Sequence, residues 1–162
     1  MQKLIIINGP AGVGKTTISR LLAEHFSNSV CISGDILRNF IVNRGPEVKG
    51  RLGYRNGASL ILNFLEAGYE CVIFEYVFPA RSQLDFMLSL LDVCAEKFVF
   101  TLWAPLEEVK KREKNRPDRM PLGAQVDETY ETMAANLTEL GTVIETGGRS
   151  IDEVLKEIEE QV

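Results

Sequence analysis

Cysteine is scarce and unpaired: the chain has three, an odd number, with no C-x-x-C spacing. Cys31, Cys71 and Cys94 each sit in an apolar run. They therefore read as reduced core thiols, not as a disulfide framework or a metal cluster, and imply a reducing compartment. Basic charge is also in deficit, with 18 Lys+Arg against 23 Asp+Glu and a formal net charge of -5. That balance disfavours a broad basic surface for wrapping nucleic acid, so no nucleic-acid partner is expected. No apolar stretch approaches the roughly 20 residues of a membrane span. The opening MQKLIIIN is also too short for the apolar core of about 7 to 15 residues in a secretory signal. The expectation is a cytoplasmic protein with no membrane partner, present as a monomer or homodimer. Repeats, linkers and low-complexity stretches are missing too, and 162 residues with 45% apolar content suit one domain over 1–162.

What is present is alternation. Short apolar runs at Lys3 to Asn8, Val30 to Ser33, Cys71 to Phe74, Phe98 to Leu102 and Thr142 to Glu145 have strand character. Several are continuous, as expected for strands covered on both faces. Between them lie helical stripes: Ile18, Leu21, Leu22 and Phe26; Leu84, Met87, Leu91 and Cys94; Ile151, Val154, Leu155 and Ile158. Asn56 to Ala67 is helical in pattern with Gly68 placed to end it, and Ser150 with Glu153 forms a capping box. The alternation predicts an α/β fold, a parallel sheet with helices on both faces and ligands beyond the carboxyl ends of its strands.

After the first strand, Gly9-Pro10-Ala11-Gly12-Val13-Gly14-Lys15-Thr16-Thr17 satisfies G-x-x-x-x-G-K-[ST] in full, between an apolar strand and an amphipathic helix. A polyphosphate needs many convergent N–H donors, and glycines let the backbone bend and approach it. Gly9, Ala11, Gly12, Val13, Gly14, Lys15, Thr16 and Thr17 are the candidate ATP-binding residues. Lys15 is expected to reach the β and γ phosphates, and the Thr16 hydroxyl to bind Mg²⁺.

A phosphate cradle does not separate a kinase from a GTPase, so the other strand ends decide. No N-K-x-D guanine-reading motif occurs. The second apolar run ends in Ser33-Gly34-Asp35-Ile36-Leu37-Arg38. Asp35, at a strand-to-helix junction, could accept the proton of an acceptor hydroxyl, and Arg38, one turn on, could bind an anionic group. The plainer alternatives are a helix cap and a solvated charge. The third run ends in Glu75, whose four preceding apolar residues resemble a Walker B strand; it would hold Mg²⁺ through water or line the acceptor pocket. Asn43 to Arg55 reads as an irregular wall of that pocket, the acceptor region as a whole running over about 35–60.

A helix beginning at Ala104-Pro105 becomes strongly basic, with Lys110, Lys111, Arg112, Lys114, Arg116 and Arg119 crowded together. Phosphoryl transfer relies on positioning and on cations around the transferring group, which arginines on a closing lid would supply while excluding water. The alternative is a solvated basic face balanced by Glu107, Glu108 and Glu113.

Together the cradle, ISGD-x-x-R, R-x-x-x-R-x-x-R and the closing Gly147-Gly148-Arg149 resemble the small-molecule kinases related to nucleoside monophosphate kinases, such as chloramphenicol phosphotransferase, gluconate kinase and shikimate kinase. The resemblance implies a five-stranded parallel sheet in order 2-3-1-4-5, an ATP donor with Mg²⁺, and a lid at about 114–127. It also implies Asp35 as the base for the acceptor hydroxyl, Arg116 and Arg119 as lid arginines, and Arg112 with Thr146 to Arg149 near the adenine, so that the candidate catalytic residues are Lys15, Asp35, Arg116 and Arg119 and the candidate acceptor residues Asp35, Arg38 and Glu75. Ser33 stands where shikimate kinases carry the first acid of D-x-D, which puts shikimate in doubt. ISGD-x-x-R is also similar to the adenylate kinase element whose Arg binds the acceptor's phosphate. The expected activity is transfer of the γ-phosphoryl group to a hydroxyl of a metabolite or antibiotic. The alternatives are a nucleotide kinase and a non-catalytic nucleotide-binding module.

Overall fold

Four isoleucine and leucine side chains in a row, Leu4 to Ile7, are each fully buried in a computed structural model that describes residues 1–43, 51–115 and 122–162. The run belongs to β1 (Lys3–Asn8), the middle strand of the sheet. Side chains alternate across a strand, so Leu4 and Ile6 join one core while Ile5 and Ile7 join the other. A strand with two buried faces must be apolar throughout, which is why the run does not alternate.

The elements follow in the order β1, α1 (Lys15–Glu24), β2 (Ser29–Ser33), α2 (Gly34–Asn39), α3 (Leu52–Glu66), β3 (Cys71–Glu75), α4 (Arg81–Ser89), β4 (Glu96–Trp103), α5 (Leu106–Lys114), α6 (Ala124–Asn136), a 3-10 turn (Leu137–Glu139), β5 (Thr142–Glu145) and α7 (Ile151–Glu159). The strands are parallel and ordered β2-β3-β1-β4-β5, as expected. One core packs Ile18 and Leu22 of α1 with Val154, Leu155 and Ile158 of α7 against the sheet. The other packs Ile61 and Leu65 of α3 with Leu84 and Met87 of α4. The chain builds leftward from β1 to β2 and β3, then crosses to β4 on the other side. The loop leaving β1 therefore opens at the switch point, where neighbouring connections diverge and leave a crevice.

Three readings need correction. The helix read from Asn56 begins at Leu52, so 52–55 are not irregular wall; residues 44–50 of that wall lie outside the described residues. The stripe ending at Cys94 stops at Leu91, because α4 ends at Ser89. Cys94 is consequently exposed, not a core thiol. Cys71 is buried and Cys31 half-buried, and burial pushes both thiols up to about 11, which keeps them protonated and unreactive. The capping box holds: the Glu153 amide donates to Ser150 Oγ at 3.3 Å and the Ser150 amide to Glu153 Oε2 at 2.8 Å. Among the described residues no helix is long and apolar enough to cross a membrane.

Asn8 ends β1 with no exposure at all. Its amide group donates to Phe78 O (3.2 Å) and Thr101 Oγ1 (3.1 Å) and accepts from the Phe78 N–H (2.8 Å), while Thr101 donates onward to Leu140 O (2.7 Å). A satisfied buried network of this kind ties the end of β1 to the connection after β3, to Thr101 within β4 and to Leu140 before β5. Asn8→Ala should cost about 2–3 kcal/mol by leaving those groups unpaired in the core. Urea unfolding should show it as a lower midpoint at unchanged slope.

Candidate active site

Between β1 and α1 the backbone turns through Gly9, Gly12 and Gly14 at φ 144°, 86° and 108°, a region side chains rarely allow. At the first two, space forbids a side chain as well. A Cβ on Gly9 would lie 2.6 Å from Leu102 O, and one on Gly12 2.6 Å from Val109 O and 2.8 Å from Glu113 Cβ. The loop is thus pressed against the end of β4 and along α5. At Gly14 a Cβ would meet nothing within 4 Å, because that side faces open cleft.

Gly14 is also the N-cap of α1, and no side chain caps the helix or places an acid in its first turn. The first amides of a helix have no intrahelical acceptor, and together with the positive end of the dipole they form an anion site. Lys15 is nearly buried, and its ammonium donates to Gly9 O (2.9 Å) and Pro10 O (3.0 Å), so the cation lies across the loop it serves. Open space, uncapped amides and a fixed cation together fit a polyphosphate.

Glu75 closes β3 and is buried. Its Oε1 accepts from Thr16 Oγ1 at 3.2 Å and from the Ser33 hydroxyl. Burial pushes its carboxyl above the ordinary carboxylate range and the charge of Asp35 pushes the same way. The Lys15 ammonium and the hydrogen bonds from Ser33 and Thr16 pull it back in part. One hydroxyl and one carboxylate are hard oxygen donors, the set Mg²⁺ takes when phosphates and water complete its shell. Among the described residues no cluster of three or more acidic, His or Cys side chains offers a closed cage.

A cleft of about 530 Å³ opens from this corner. The loop and Glu75 form its floor, Asp35 and Arg38 of α2 one side, and Leu122, Gln125 and Thr129 the other. A second cleft of about 300 Å³ lies behind α1, between Val13, Ile18, Thr146, Arg149 and Val154. Gly14, Thr17 and Arg112 line both. Arg112 is held there by an ion pair with Glu108 and by donation to Val13 O (3.4 Å) and Thr146 O (3.4 Å). The Arg149 guanidinium donates to Glu145 O (2.8 Å), Glu157 Oε2 (2.5 Å) and Glu153 O (3.0 Å), which fixes the side chain at the wall of the second cleft.

The structure therefore brings together Ala11, Gly12, Gly14, Lys15, Thr16, Thr17, Asp35, Arg38, Glu75 and Arg112 around one cleft, and Val13 and Arg149 at the other. Gly9 is the loop's buried shoulder. Arg116 and Arg119 lie outside the described residues, as does 116–121 of the expected lid. Of the rest of that stretch, Lys114 belongs to α5, and 124–127 open α6. The acids of α5 are not an indifferent solvated face. Glu113 is buried and accepts the Leu122 amide at 3.0 Å, and Lys110 pairs instead with Asp127 at 2.6 Å.

Sequence reasoning missed Ser33 as a partner of Glu75, and Gln125 and Thr129 as cleft wall. The signal for α6 was present in Val126, Tyr130 and Met133 at i, i+4 and i+7, the stripe that packs inward. Gln125 and Thr129, four apart, fall on the neighbouring face. The Tyr130 ring stacks on Trp103 with centroids 4.3 Å apart, and its hydroxyl donates to Ala104 O at 2.9 Å, which turns that face to the cleft.

Residues 4–140 match the AAA domain family. An adenylate kinase of Bifidobacterium longum is 32% identical over 175 aligned positions, which cover 93% of this chain and 94% of that protein. The tunicamycin resistance protein of Deinococcus radiodurans superposes with a TM-score of 0.73 at 21% identity, over 99% of this chain and 95% of that one. A gluconokinase from Sinorhizobium meliloti gives 0.70 at 15%, over 96% and 88%. At those identities the two structures speak for the fold, and the family rests on the sequence matches. The chain belongs to the AAA domain family, within the P-loop kinase family of its relatives.

Proposed function

We propose that this kinase moves the γ-phosphoryl group of ATP, bound with Mg²⁺, onto a hydroxyl of a small molecule seated in the larger cleft. The observation that carries the reading is the opening of the phosphate loop and of Asp35 into one and the same cleft, with Glu75 between them. A loop facing only the second cleft would have suited a module that binds nucleotide without transferring from it.

Roles follow from position. The second cleft takes the nucleoside, its apolar floor of Val13, Ile18 and Val154 suiting a base and Arg112 with Arg149 suiting its polar edge. The loop amides and Lys15 hold the phosphate chain and point its end into the larger cleft. The Thr16 hydroxyl and, through water, Glu75 would hold Mg²⁺, which when bound offsets charge on the phosphates. Asp35 orients the acceptor hydroxyl in line and takes its proton as the new O–P bond to the γ-phosphorus forms, while the bond from the γ-phosphorus to the bridging oxygen breaks and ADP leaves with that oxygen. Excluding water is the task of the wall that Leu122, Gln125 and Thr129 give the cleft.

A second reading, a nucleoside monophosphate as the acceptor, is favoured by Arg38. It is the cation on the acceptor side of the cleft among the described residues, and the chain's likeness to an adenylate kinase adds to it. The test is an ADP-release screen over sugars, polyols, nucleosides, nucleoside monophosphates and amphenicol or aminoglycoside antibiotics. Acceleration by one class identifies the acceptor, whereas tight MgATP binding with no acceleration by any class favours the non-catalytic module.

Asp35→Asn should leave the calorimetric affinity for MgATP within about twofold and lower turnover about 10²-fold, the scale of a lost general base. Near-normal turnover would leave Asp35 only the part of an acid in the first turn of α2, whose N-cap is Ser33. Lys15→Ala should weaken MgATP binding and slow turnover together, because its charge acts on both the ground state and the transferring group. Arg38→Ala should raise the acceptor KM about tenfold or more if the acceptor is an anion, the loss of one charge-assisted contact. An unchanged KM removes the nucleotide reading.

A further inference from the structure

Tyr76 follows Glu75 directly, and its backbone still belongs to the sheet: its N–H donates to Ile7 O of β1 at 3.2 Å, two residues before the loop. Its ring is set among aromatics. Tyr54 meets it edge-on at 5.4 Å between centroids, Phe74 lies at 6.0 Å and Phe78 at 6.1 Å. Tyr54 in turn stacks on Phe78 at 5.1 Å and donates to Val77 O at 3.3 Å. Such a cage leaves the ring little freedom of rotation.

Two glycines meet the ring from outside. A Cβ on Gly34, the first residue of α2, would lie 2.2 Å from Tyr76 Cδ2 and 2.5 Å from Cγ. A Cβ on Gly53, in the first turn of α3, would lie 3.0 Å from the Tyr76 hydroxyl oxygen. Neither glycine has a positive φ, so the backbone conformation at these positions does not call for glycine. What excludes a side chain is the tyrosine ring. Asp35 is the next residue after Gly34, and Glu75 the one before Tyr76.

We propose that Tyr76 is a positioning residue of the acceptor site: its ring is the spacer between the sheet and α2, and its hydroxyl end the spacer to α3. The ring thereby sets how far Asp35 stands from Glu75 and the phosphate loop, and so how wide an acceptor the cleft admits. The inference rests on Asp35 being the acceptor-facing base. It adds that the distance is set by packing, with Gly34 and Gly53 as the two sides of one fitted joint. Side chains in close-packed interiors cannot absorb an overlap of this size without movement of an element.

The test pairs an added methyl with a removed ring. Crystal structures of Gly34→Ala and of Gly34→Ala/Tyr76→Leu give the Asp35–Glu75 separation whether or not any acceptor is turned over. AMP and D-gluconate serve as probe acceptors for kinetics. Gly34→Ala should displace Asp35 by about 1 Å with the 9–16 loop unmoved, and lower turnover of an accepted probe about 10²-fold at an ATP KM within about twofold. The double variant should recover at least about tenfold of that loss, a non-additivity expected only of groups in contact. Should Gly34→Ala fail to fold, Gly53→Ala and Gly53→Ala/Tyr76→Phe repeat the cycle at the looser contact, the removed hydroxyl making room for the methyl. An undisplaced Asp35 in the alanine variant, or a double variant no better than the singles combined, overturns the proposal. A purely structural tyrosine would instead lower the melting temperature and the fraction of protein binding MgATP, with no change in turnover per bound nucleotide. Asp35→Asn with normal turnover would remove the base reading alone, and the displacement measurement would still decide the spacer.

Discussion

The site depends on how closely the backbone of one loop can approach its surroundings. At Gly9 and Gly12 the chain lies so near Leu102 O and Val109 O that a methyl group has no place. That approach seats the start of α1 over the end of the sheet, with its amides turned outward and its cap position left to a glycine. Lys15 can then fold back onto Gly9 O and Pro10 O, and Arg112 can reach Val13 O from α5. The same contact makes α5 a neighbour of the phosphate site, which is how its basic end comes to bear on the clefts. Buried Asn8, bonded to Phe78 after β3 and to Thr101 of β4, keeps the support under the loop from shifting.

Around this anchor the charges are few and closely placed. Glu75 sits among Lys15, Asp35, Ser33 and Thr16 in a corner largely removed from water, where an interaction between charges is stronger than at a surface. An acid whose proton affinity is raised by burial is well suited to a bound cation that restores its charge. The acceptor side is built differently. Asp35 and Arg38 ride on α2, a helix of under two turns that buries Leu37 in the sheet's core and lies at Gly34 against the Tyr76 ring.

The sheet, its five strands and the loop were legible because each rests on a strong local signal: continuous apolar runs for strands buried on both faces, and a complete spacing of glycines, lysine and threonine for the cradle. Asp35 and Glu75 were legible because parallel strands deliver their carboxyl ends to one edge. What was not legible lay in side chains that act across the fold. Ser33 looked like a departure from an acidic motif and proved to be the hydroxyl that Glu75 binds. Glu113 looked like one more solvated acid and proved to be buried against Gly12. Cys94 carried helical spacing from a helix that ends before it. Gly34 and Gly53 carry no local mark, since nothing in their own stretch of chain tells of a tyrosine more than twenty residues away.

The central claim is that the amides between residues 9 and 17 grip the phosphate chain of a nucleoside triphosphate. Protection of those amides against hydrogen exchange measures it directly, with free protein compared to protein saturated with MgATP. Slowing concentrated at Gly12 to Thr17, and absent with adenosine, is the expected result. A nucleotide that leaves these amides exchanging as in the free protein, or fails to bind the folded protein at all, would contradict the account.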